Sequence, residues 1–367
     1  MNETMTVTRL LTRKNALAES RLDVQLQPAA PADGEVYLRI DRFALTTNNI
    51  TYAAFGDSMR YWDFFPSADA ECGHMPVWGF ADVVASTVDG VAVGERFYGY
   101  FPIASHLRMQ PVRVTPRGFY DGSAHRQALT SAYNQYTRCS ADPVYTKDHE
   151  GHQALLRPLF ITSFMLADFL GDNGFFGAKR LVVSSASSKT AFGTAFCLQT
   201  APGIEVVGLT SPRNREFVDG LGCYRRTVTY EDLGALDTAT PTAYVDFSGD
   251  DALRTAVHRH FGDALVYDCF AGSAQKAQAP HHPDLAGPKP AFFFAPVQIK
   301  KRNADWGPAV FNERFGDAQR RFVAELSAPC NRWMRLVEHQ GFDAAQTLIA
   351  DLHAGRTAPT DGHVVQL

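Results

Sequence analysis

Residues Leu181-Val-Val-Ser-Ser-Ala-Ser-Ser-Lys-Thr-Ala-Phe-Gly193 decide the fold of the C-terminal half of the chain. The first residues predict a short buried strand, Ser185–Lys189 predict a polar turn, and the residues from Thr190 onward predict a helix. A strand that passes through a tight turn into a helix begins the dinucleotide-binding folds, in which free N–H groups of the helix hold a pyrophosphate. Such turns usually carry Gly-x-Gly-x-x-Gly, and here only Gly193 of those glycines is present.

The side chains of this turn suit a phosphate group in spite of the missing glycines. Small hydroxyl residues let the backbone approach a ligand and offer donors to phosphate oxygens. A lysine at the start of a helix is unfavourable for the helix dipole unless an anion binds there. We therefore predict a phosphate on Ser187–Thr190, with an ordinary solvated turn as the alternative. The predicted nucleotide contacts of the whole turn are Ser185, Ala186, Ser187, Ser188, Lys189 and Thr190.

The second predicted strand ends in residues that suggest which nucleotide is bound. An NAD site has Asp or Glu at this strand end, where the carboxylate accepts hydrogen bonds from the ribose hydroxyls. Here the chain reads Thr210-Ser-Pro-Arg-Asn-Arg215. The hydroxyls of Thr210 and Ser211 and the guanidinium groups of Arg213 and Arg215 suit a 2′-phosphate, which predicts NADP(H) rather than NAD. A solvent-exposed helix face is the alternative for the two arginines.

Strands and helices alternate on the C-terminal side of the turn, which predicts a doubly wound parallel sheet. The predicted strands are 205–210, 227–229, 243–247, 265–269 and 291–295, and the predicted helices between them include 212–221 and 252–260. On the N-terminal side, short strands between residues 35 and 115 predict a small barrel or sandwich. Segment 116–156 has no clear period and is either an insertion or a bridging helix.

Composition indicates a globular protein and argues against several partners. The chain has 367 residues, and 35 Lys and Arg against 39 Asp and Glu give a formal net charge of −4. Without a basic surplus, nucleic acid is a poor partner. The longest apolar stretch, Leu159–Leu170, contains polar residues, so we expect no membrane partner. The N-terminus lacks the apolar core of a signal peptide and the six cysteines form no CxxC pair. These features predict a cytoplasmic protein with reduced thiols.

Five motifs carry a resemblance to a known superfamily. They are Asn48 with its neighbours, Pro76-Val-Trp-Gly-Phe-Ala-Asp-Val-Val84, Val93-Gly-Glu-Arg-Phe97, the Leu181–Gly193 turn and Ala243-Tyr-Val-Asp-Phe-Ser-Gly249. Together they resemble the medium-chain dehydrogenase/reductase superfamily, on its zinc-free quinone-reductase and enoyl-reductase side. The Ala-Ser-Ser-Lys-Thr turn and Gln298-Ile-Lys-Lys-Arg-Asn-Ala-Asp-Trp-Gly307 resemble, more narrowly, a branch that is catalogued as a domain of unknown function.

The resemblance implies an α/β protein of two domains. A GroES-like β-barrel catalytic domain would comprise residues 1–155 and 305–367, and a Rossmann domain that binds NADP would comprise 156–304. It also implies a homodimer, a small-molecule substrate and cofactor contacts at Tyr230, which would stack on adenine, and at Phe247. Where zinc-dependent relatives have a metal ligand, this chain has Gly79-Phe80-Ala81, so no metal is expected.

Without zinc, reduction of an enone needs a group that polarises the carbonyl and an acid that protonates carbon. In Leu45-Thr-Thr-Asn-Asn-Ile-Thr-Tyr52 the resemblance places the substrate-facing asparagine at or beside Asn48. We predict Tyr52 as the acid and Asn48 or Asn49 as the residue that orients the substrate, with a buried structural phenol as the alternative for Tyr52. Tyr61 and Trp62 are predicted to cap an apolar pocket, with core or surface packing as the alternative.

Three functions remain open from the sequence. The first is a zinc-independent, NADPH-dependent reductase of an α,β-unsaturated ketone, aldehyde or thioester. The second is a carbonyl reductase with the same cofactor, in which Tyr52 protonates oxygen instead of carbon. The third is a non-catalytic NADP-binding scaffold or sensor, which the missing glycines of the turn keep in consideration.

Overall fold

The computed structural model describes residues 3–271, 285–328 and 333–367. Cys330, one of the cysteines expected to be reduced, lies outside these ranges. The chain divides into two compact units. The first unit contains Met1–Leu155 and Leu336–Leu367, and the second contains Leu156–Arg335.

Strands occur in both units. Within the described residues they are β1 (Thr4–Arg13), β2 (Ala16–Pro28), β3 (Val36–Leu45), β4 (Cys72–Gly73), β5 (Pro76–Ser86), β6 (Arg96–Pro102), β7 (His106–Met109), β8 (Pro111–Thr115), β9 (Gly118–Asp121), β10 (Gln135–Arg138), β11 (Arg180–Val183), β12 (Glu205–Thr210), β13 (Arg226–Thr229), β14 (Thr242–Asp246), β15 (Leu265–Phe270), β16 (Ala291–Phe292), β17 (Arg335–Gln340) and β18 (Asp361–Gln366).

The α-helices of the described residues are α1 (Thr47–Ala54), α2 (Glu150–Asp172), α3 (Lys189–Leu198), α4 (Arg215–Gly220), α5 (Asp251–Phe261), α6 (Ala295–Trp306), α7 (Pro308–Ser327) and α8 (Gly341–His353). Short 3₁₀ helices lie at Tyr61–Phe64, Ala124–Arg126, Ser131–Tyr133, Cys139–Ala141, Lys147–His149, Gly174–Gly177, Pro212–Asn214, Leu233–Ala235 and Gly262–Ala264.

The first unit is built on two sheets. The larger has the order β17-β18-β3-β5-β6-β10-β9-β8, with β7 also paired to β3, and the smaller has the order β2-β1-β4. Both sheets and α8 contribute to one apolar core, which includes the fully buried Leu10, Leu38, Val77, Phe97 and Ile349. Alternating apolar residues in short antiparallel strands produce such a core, because every second side chain points inward.

The second unit is built on a six-stranded sheet of order β13-β12-β11-β14-β15-β16, in which adjacent strands run parallel. Strand β14 pairs in parallel with β11, as expected for a doubly wound parallel sheet. The chain leaves β11 first toward β12 and later returns to β14 on the other side. The carboxyl end of β11 is therefore the point at which the strand order reverses, and ligands of doubly wound folds bind at such points.

Helix α7 belongs to the second unit, although the resemblance implies that residues 305–367 belong to the first. Phe322 of this helix stacks on Phe160 of α2, with ring centroids 4.4 Å apart, and Phe315 lies 6.3 Å from the same ring. Strand–helix alternation in the sequence ends near residue 300, and that pattern does not indicate these aromatic contacts between α7 and α2. The second unit therefore extends to Arg335 rather than to residue 304.

Helix α2 is long and apolar enough, by length and composition, to cross a membrane. The expectation from the sequence was that the polar residues within Leu159–Leu170 exclude a span of that length. More than half of the apolar window is buried inside the protein, including Leu156, Met165 and Leu166. This burial is typical of a core helix.

Candidate active site

The turn after β11 forms without the usual glycines because its side chains are accommodated individually. Ser185 takes a left-handed backbone conformation with φ of 50°, which glycine would adopt at lower cost. Ala186 is completely buried and packs on Gly208 of β12, where an added Cβ would lie 3.0 Å from the Cβ of Ala186. The Tyr224 hydroxyl donates to the Ala186 carbonyl at 2.9 Å. The side chain of Ala186 therefore packs inward rather than toward a ligand.

A buried carboxylate joins the carboxyl ends of β11 and β14, where the strand order reverses. The Ser184 hydroxyl donates to Asp246 Oδ1 at 2.6 Å and accepts from the backbone N–H of Phe247 at 2.9 Å. Burial would raise the pKa of Asp246, but hydrogen bonds from Ser184 and Ser248 and the charge of Arg254 outweigh it and lower that pKa. Asp246 is therefore a carboxylate that holds the ends of β11 and β14 together.

Helix α3 begins with the polar residues that the sequence assigned to phosphate. The Ser188 side chain accepts from the Ala191 N–H at 3.4 Å and so caps the helix, while Ser187 accepts from the Asn214 amide at 3.0 Å. The remaining N–H groups of a first helical turn have no partner within the helix and suit an anion. Lys189 and Thr190 follow in that turn and are half-buried.

Gly193 allows α3 to pack closely against α2. A Cβ at this position would lie 2.7 Å from the Ser163 hydroxyl of α2. Ser163 itself donates to the Thr190 carbonyl at 2.8 Å. The one glycine that remains from the usual motif therefore permits close helix packing.

The end of β12 presents two hydroxyls that lack hydrogen-bond partners within the described residues. They belong to Thr210, which is 1% exposed, and to Ser211. Arg213 is exposed and makes no ion pair among the described side chains, whereas Arg215 lies 3.7 Å from Asp232 and 3.8 Å from Asp219. Orphaned hydroxyls beside an unpaired guanidinium fit a phosphate, so this structure supports Arg213 more strongly than Arg215 as its ligand.

Tyr230 and Phe247 both contact the turn. The Ser185 N–H donates to the Tyr230 hydroxyl at 3.3 Å, so this phenol supports the left-handed residue of the turn. Phe247 is half-buried and follows β14, and its N–H donates to Ser184. The structure therefore brings both residues to the same sheet edge as Ser185–Thr190.

In the first unit, four tyrosines gather into what we call the phenol cluster: Tyr52, Tyr61, Tyr100 and Tyr133. The Tyr52 ring lies 4.8 Å from that of Tyr61 and 5.5 Å from that of Tyr100. The hydroxyls of Tyr61 and Tyr133 are 3.3 Å apart. Tyr52 and Tyr61 are each 7% exposed, which confines contact with solvent to small areas.

Tyr52 has the clearest polar environment of the four. Trp78 Nε1 donates to its hydroxyl oxygen at 3.2 Å, and because an indole can only donate, the phenol keeps its own proton for donation. Burial raises the pKa of Tyr52, with a further contribution from Tyr61, and hydrogen bonds from Trp78, Asn48 and Tyr133 oppose that rise only in part. Tyr52 therefore remains a neutral proton donor at ordinary pH.

The two asparagines predicted to orient the substrate have different environments. Asn49 Oδ1 accepts from the Thr46 N–H at 2.7 Å, and its Nδ2 donates to the Pro76 carbonyl at 2.8 Å. The first of these bonds is half of a capping box that starts α1. The Asn49 amide is thus occupied by the backbone, whereas half-buried Asn48 lies one helical turn before Tyr52 and lowers the pKa of that phenol, against the effect of burial.

Trp62 lies in the main core of the first unit rather than with the phenols. Its ring fills the space beside two glycines, since a Cβ on Gly56 would be 1.9 Å from its Nε1 and one on Gly73 would be 2.4 Å from its Cε3. This packing corrects the prediction of Trp62 as a pocket residue. Tyr61 does lie with Tyr52.

No sequence pattern predicted Trp78, Tyr100 or Tyr133 as site residues. Trp78 and Tyr100 face each other in the register of β5 and β6, so a correct strand pairing would have brought them together. Tyr133 comes from the aperiodic segment 116–156, in which no pattern marks it. The Tyr100 hydroxyl is buried and has no hydrogen-bond partner among the described residues, so the cluster retains an unused donor.

At the position where the resemblance places a zinc ligand, Phe80 is completely buried against Tyr98 and Tyr145. Its side chain has no atom that can bind a metal. In the described ranges, no three side chains of His, Cys, Asp or Glu are grouped as metal ligands would be.

Several solved structures share the fold over nearly the full length of the chain. CurA from Vibrio vulnificus in complex with NADPH is 15% identical with a TM-score of 0.63, covering 98% of each chain. The yhdH oxidoreductase from Salmonella enterica in complex with NADP is 14% identical with a TM-score of 0.56, covering 98% of this chain and 99% of that one. A mutant enoyl thioester reductase from Candida tropicalis is 11% identical with a TM-score of 0.57, covering 99% and 100%. The predicted fold class, a GroES-like domain with a Rossmann sheet, is confirmed.

Sequence comparison gives a family but no characterised relative. No curated protein matches the chain. The model of a family described as "Protein of unknown function (DUF2855)" matches residues 43–358, which is most of the sequence. The chain therefore belongs to the DUF2855 family.

Proposed function

We propose that this protein is a zinc-independent, NADPH-dependent reductase of α,β-unsaturated carbonyl compounds. The observation that carries the proposal is Tyr52, a buried phenol whose oxygen accepts from Trp78 and whose own proton remains available. The structural neighbours, which include complexes with NADPH and NADP and an enoyl thioester reductase, support the same class of reaction.

The second unit offers the residues that would hold the cofactor. The first turn of α3, with Lys189 and Thr190, suits the pyrophosphate, and Ser211 with Arg213 suits the 2′-phosphate. The unpartnered hydroxyls of Thr210 and Ser211 are the structural observation that fits such a ligand. NADPH would supply the hydride.

In the first unit, the phenol cluster would bind and protonate the substrate. Because burial raises the pKa of Tyr52, its phenol stays protonated and can donate to the substrate α-carbon. The orphaned Tyr100 hydroxyl offers a donor toward a carbonyl oxygen, on which negative charge develops during reduction. Asn48, one helical turn before Tyr52, would orient the acid. Phe80 in place of a metal ligand supports a mechanism in which phenols take the polarising role.

The test is an oxidation assay with NADPH and NADH against a panel containing an enone, an enal, a crotonyl thioester and a saturated ketone. The proposal expects absorbance loss with NADPH and an unsaturated compound. Oxidation only with the saturated ketone would favour a carbonyl reductase. Tight NADPH binding without turnover on any compound would favour a non-catalytic nucleotide-binding protein.

A further inference from the structure

Ser185–Thr190, which we call the phosphate turn, adjoins a series of hydrogen-bonded side chains that are buried in the second unit. Ser184 donates to Asp246 at 2.6 Å, and Arg254 Nη2 donates to the other oxygen of Asp246 at 2.7 Å. Arg254 Nη1 donates to both oxygens of Asp268 at 2.7 Å. His258 Nε2 lies 2.8 Å from Asp268 Oδ2. The connection therefore runs from the strand end that precedes Ser185 to a histidine on α5.

The contacts of His258 require it to carry two protons. Its Nδ1 lies 2.8 Å from the Ala286 carbonyl oxygen, and its Nε2 faces the carboxylate of Asp268. Both partners are acceptors only, so each ring nitrogen must donate, which only the imidazolium form can do. Burial alone would lower the pKa of His258, but its hydrogen bonds to Asp268 and to the Ala286 carbonyl outweigh burial and raise that pKa.

The charges of this network balance only while His258 is protonated. The charged groups that face it are Asp268 on β15 and Arg254 one turn earlier on α5, and Arg254 in turn pairs with Asp246 on β14. Two carboxylates then oppose two cations, and each of these four residues is at most 3% exposed. Loss of the proton leaves one net negative charge in a buried cluster and breaks one of the two His258 hydrogen bonds.

We propose that His258 is a positioning residue for the phosphate turn and that nucleotide binding is linked to its proton. The inference rests on the proposed NADP site. An excess negative charge connected to Ser184 through Asp246 opposes an anionic ligand at the neighbouring turn, and a bound pyrophosphate in turn favours the imidazolium. The affinity is therefore highest below the pKa of His258 in the free protein and falls as pH rises through it.

The test measures the dissociation constants of NADPH and NADH by nucleotide fluorescence from about pH 6 to about pH 9. NADH is included because it lacks the 2′-phosphate, whose own protonation near pH 6 acts in the opposite direction. The wild type is expected to bind both nucleotides about tenfold more weakly at the alkaline end, which corresponds to a shift of one pKa unit. Calorimetry of the wild type in buffers of different ionisation enthalpy should show proton uptake on binding in the same range.

Three variants distinguish an effect of the His258 proton on nucleotide affinity from a purely structural role of this side chain. His258→Gln should remove the pH dependence, and His258→Lys, which keeps a positive charge, should bind tightly without it. His260→Gln is the matched control, because His260 lies on the same helix but contacts the Leu236 carbonyl instead of the network. A wild-type affinity that is independent of pH would overturn the inference about His258 but not the proposed cofactor site. A pH dependence that persists in His258→Gln would do the same. Absence of nucleotide binding at every pH would overturn the proposed cofactor site and the inference together.

Discussion

At the scale of single residues, the chemistry of Tyr52 is set by its neighbours rather than by the phenol itself. The Trp78 indole N–H donates to the Tyr52 oxygen, and aromatic rings surround the phenol. A phenol in this setting resists ionisation, which makes it an acid that is still protonated when a substrate arrives. Tyr61 and Tyr133 extend the hydroxyl network but do not receive the indole N–H.

Replacing Tyr52 by Phe should lower kcat by roughly 10²–10⁴-fold, because a general acid contributes about that much to the rate. The ring still packs, and NADPH affinity should stay nearly unchanged. Steady-state kinetics and a nucleotide titration measure the two effects. Tyr120→Phe removes a hydroxyl outside the phenol cluster and is the control. A Tyr52→Phe enzyme with more than roughly a third of the wild-type kcat, with chemistry rate-limiting, would make Tyr52 a packing residue.

Replacing Arg213 by Ala should weaken NADPH binding by about 1.5–3 kcal/mol, which is the range for a hydrogen bond to a charged group. NADH has no 2′-phosphate, and its affinity should hardly change. Arg215→Ala is the matched comparison and should have the smaller effect, since Arg215 already faces Asp219 and Asp232. Equal affinity of the wild type for NADPH and NADH would refute this assignment.

At the scale of elements, helix α1 connects local structure to the candidate site. Its capping box uses Thr46 and Asn49, and the Asn49 bond to Pro76 fixes the helix to β5. Asn48 and Tyr52 then follow one helical turn apart, which brings their side chains together. Asn49 therefore has a structural role, and Asn48 is the asparagine that we propose to orient Tyr52.

Replacing Asn49 by Ala should destabilise the protein by about 0.5–2 kcal/mol, as loss of a capping side chain does, and more if the buried Pro76 carbonyl is left unpaired. Asn48→Ala should leave stability nearly unchanged but reduce turnover, because it loses only the contact with Tyr52. Urea unfolding and steady-state kinetics on both variants provide the comparison. A reversed pattern, with Asn48 structural and Asn49 needed for turnover, would contradict this account.

Sequence patterns predicted the parallel sheet well because its strands are short buried runs that alternate with helices. Helix α5 and strand β12 lie within one residue of their predicted limits. Strand β16 ends at Phe292 and α6 begins at Ala295, because a strand and a helix start inside one apolar run, Ala291–Ala295. The phenol cluster was predicted only through Tyr52 and Tyr61. Its other members are joined by strand register and by an aperiodic segment, which no local pattern reveals.

At the scale of the whole molecule, the buried charges make stability depend on pH. The pKa of Asp246 is lower in the folded protein than in the unfolded chain. The contribution of Asp246 to the free energy of unfolding is therefore present above the unfolded pKa, near about 4, and is lost as pH falls through the folded pKa. The folded pKa of His258 lies above its unfolded value. Its contribution is therefore present below about pH 6.5 and is lost as pH rises through the folded pKa.

The free energy of unfolding should therefore decline below about pH 4 and above about pH 6.5. Asp246→Asn should be less stable at neutral pH and should lack its share of the acid decline, which urea unfolding at a series of pH values measures. Asp263→Asn removes an exposed carboxylate outside the network and serves as the control. An Asp246→Asn profile parallel to the wild-type profile throughout acid pH would show that this carboxylate is not paired as described.

The central claim is that the protein reduces a carbon–carbon double bond with NADPH and protonates the neighbouring carbon. The most direct measurement is mass spectrometry and NMR of the product formed from an enone with NADPH deuterated at the transferred position. The account predicts a saturated ketone with deuterium at the β-carbon and a solvent-derived proton at the α-carbon. An allylic alcohol with deuterium on the former carbonyl carbon, or no labelled product from an enone, enal or enoyl thioester, would contradict it.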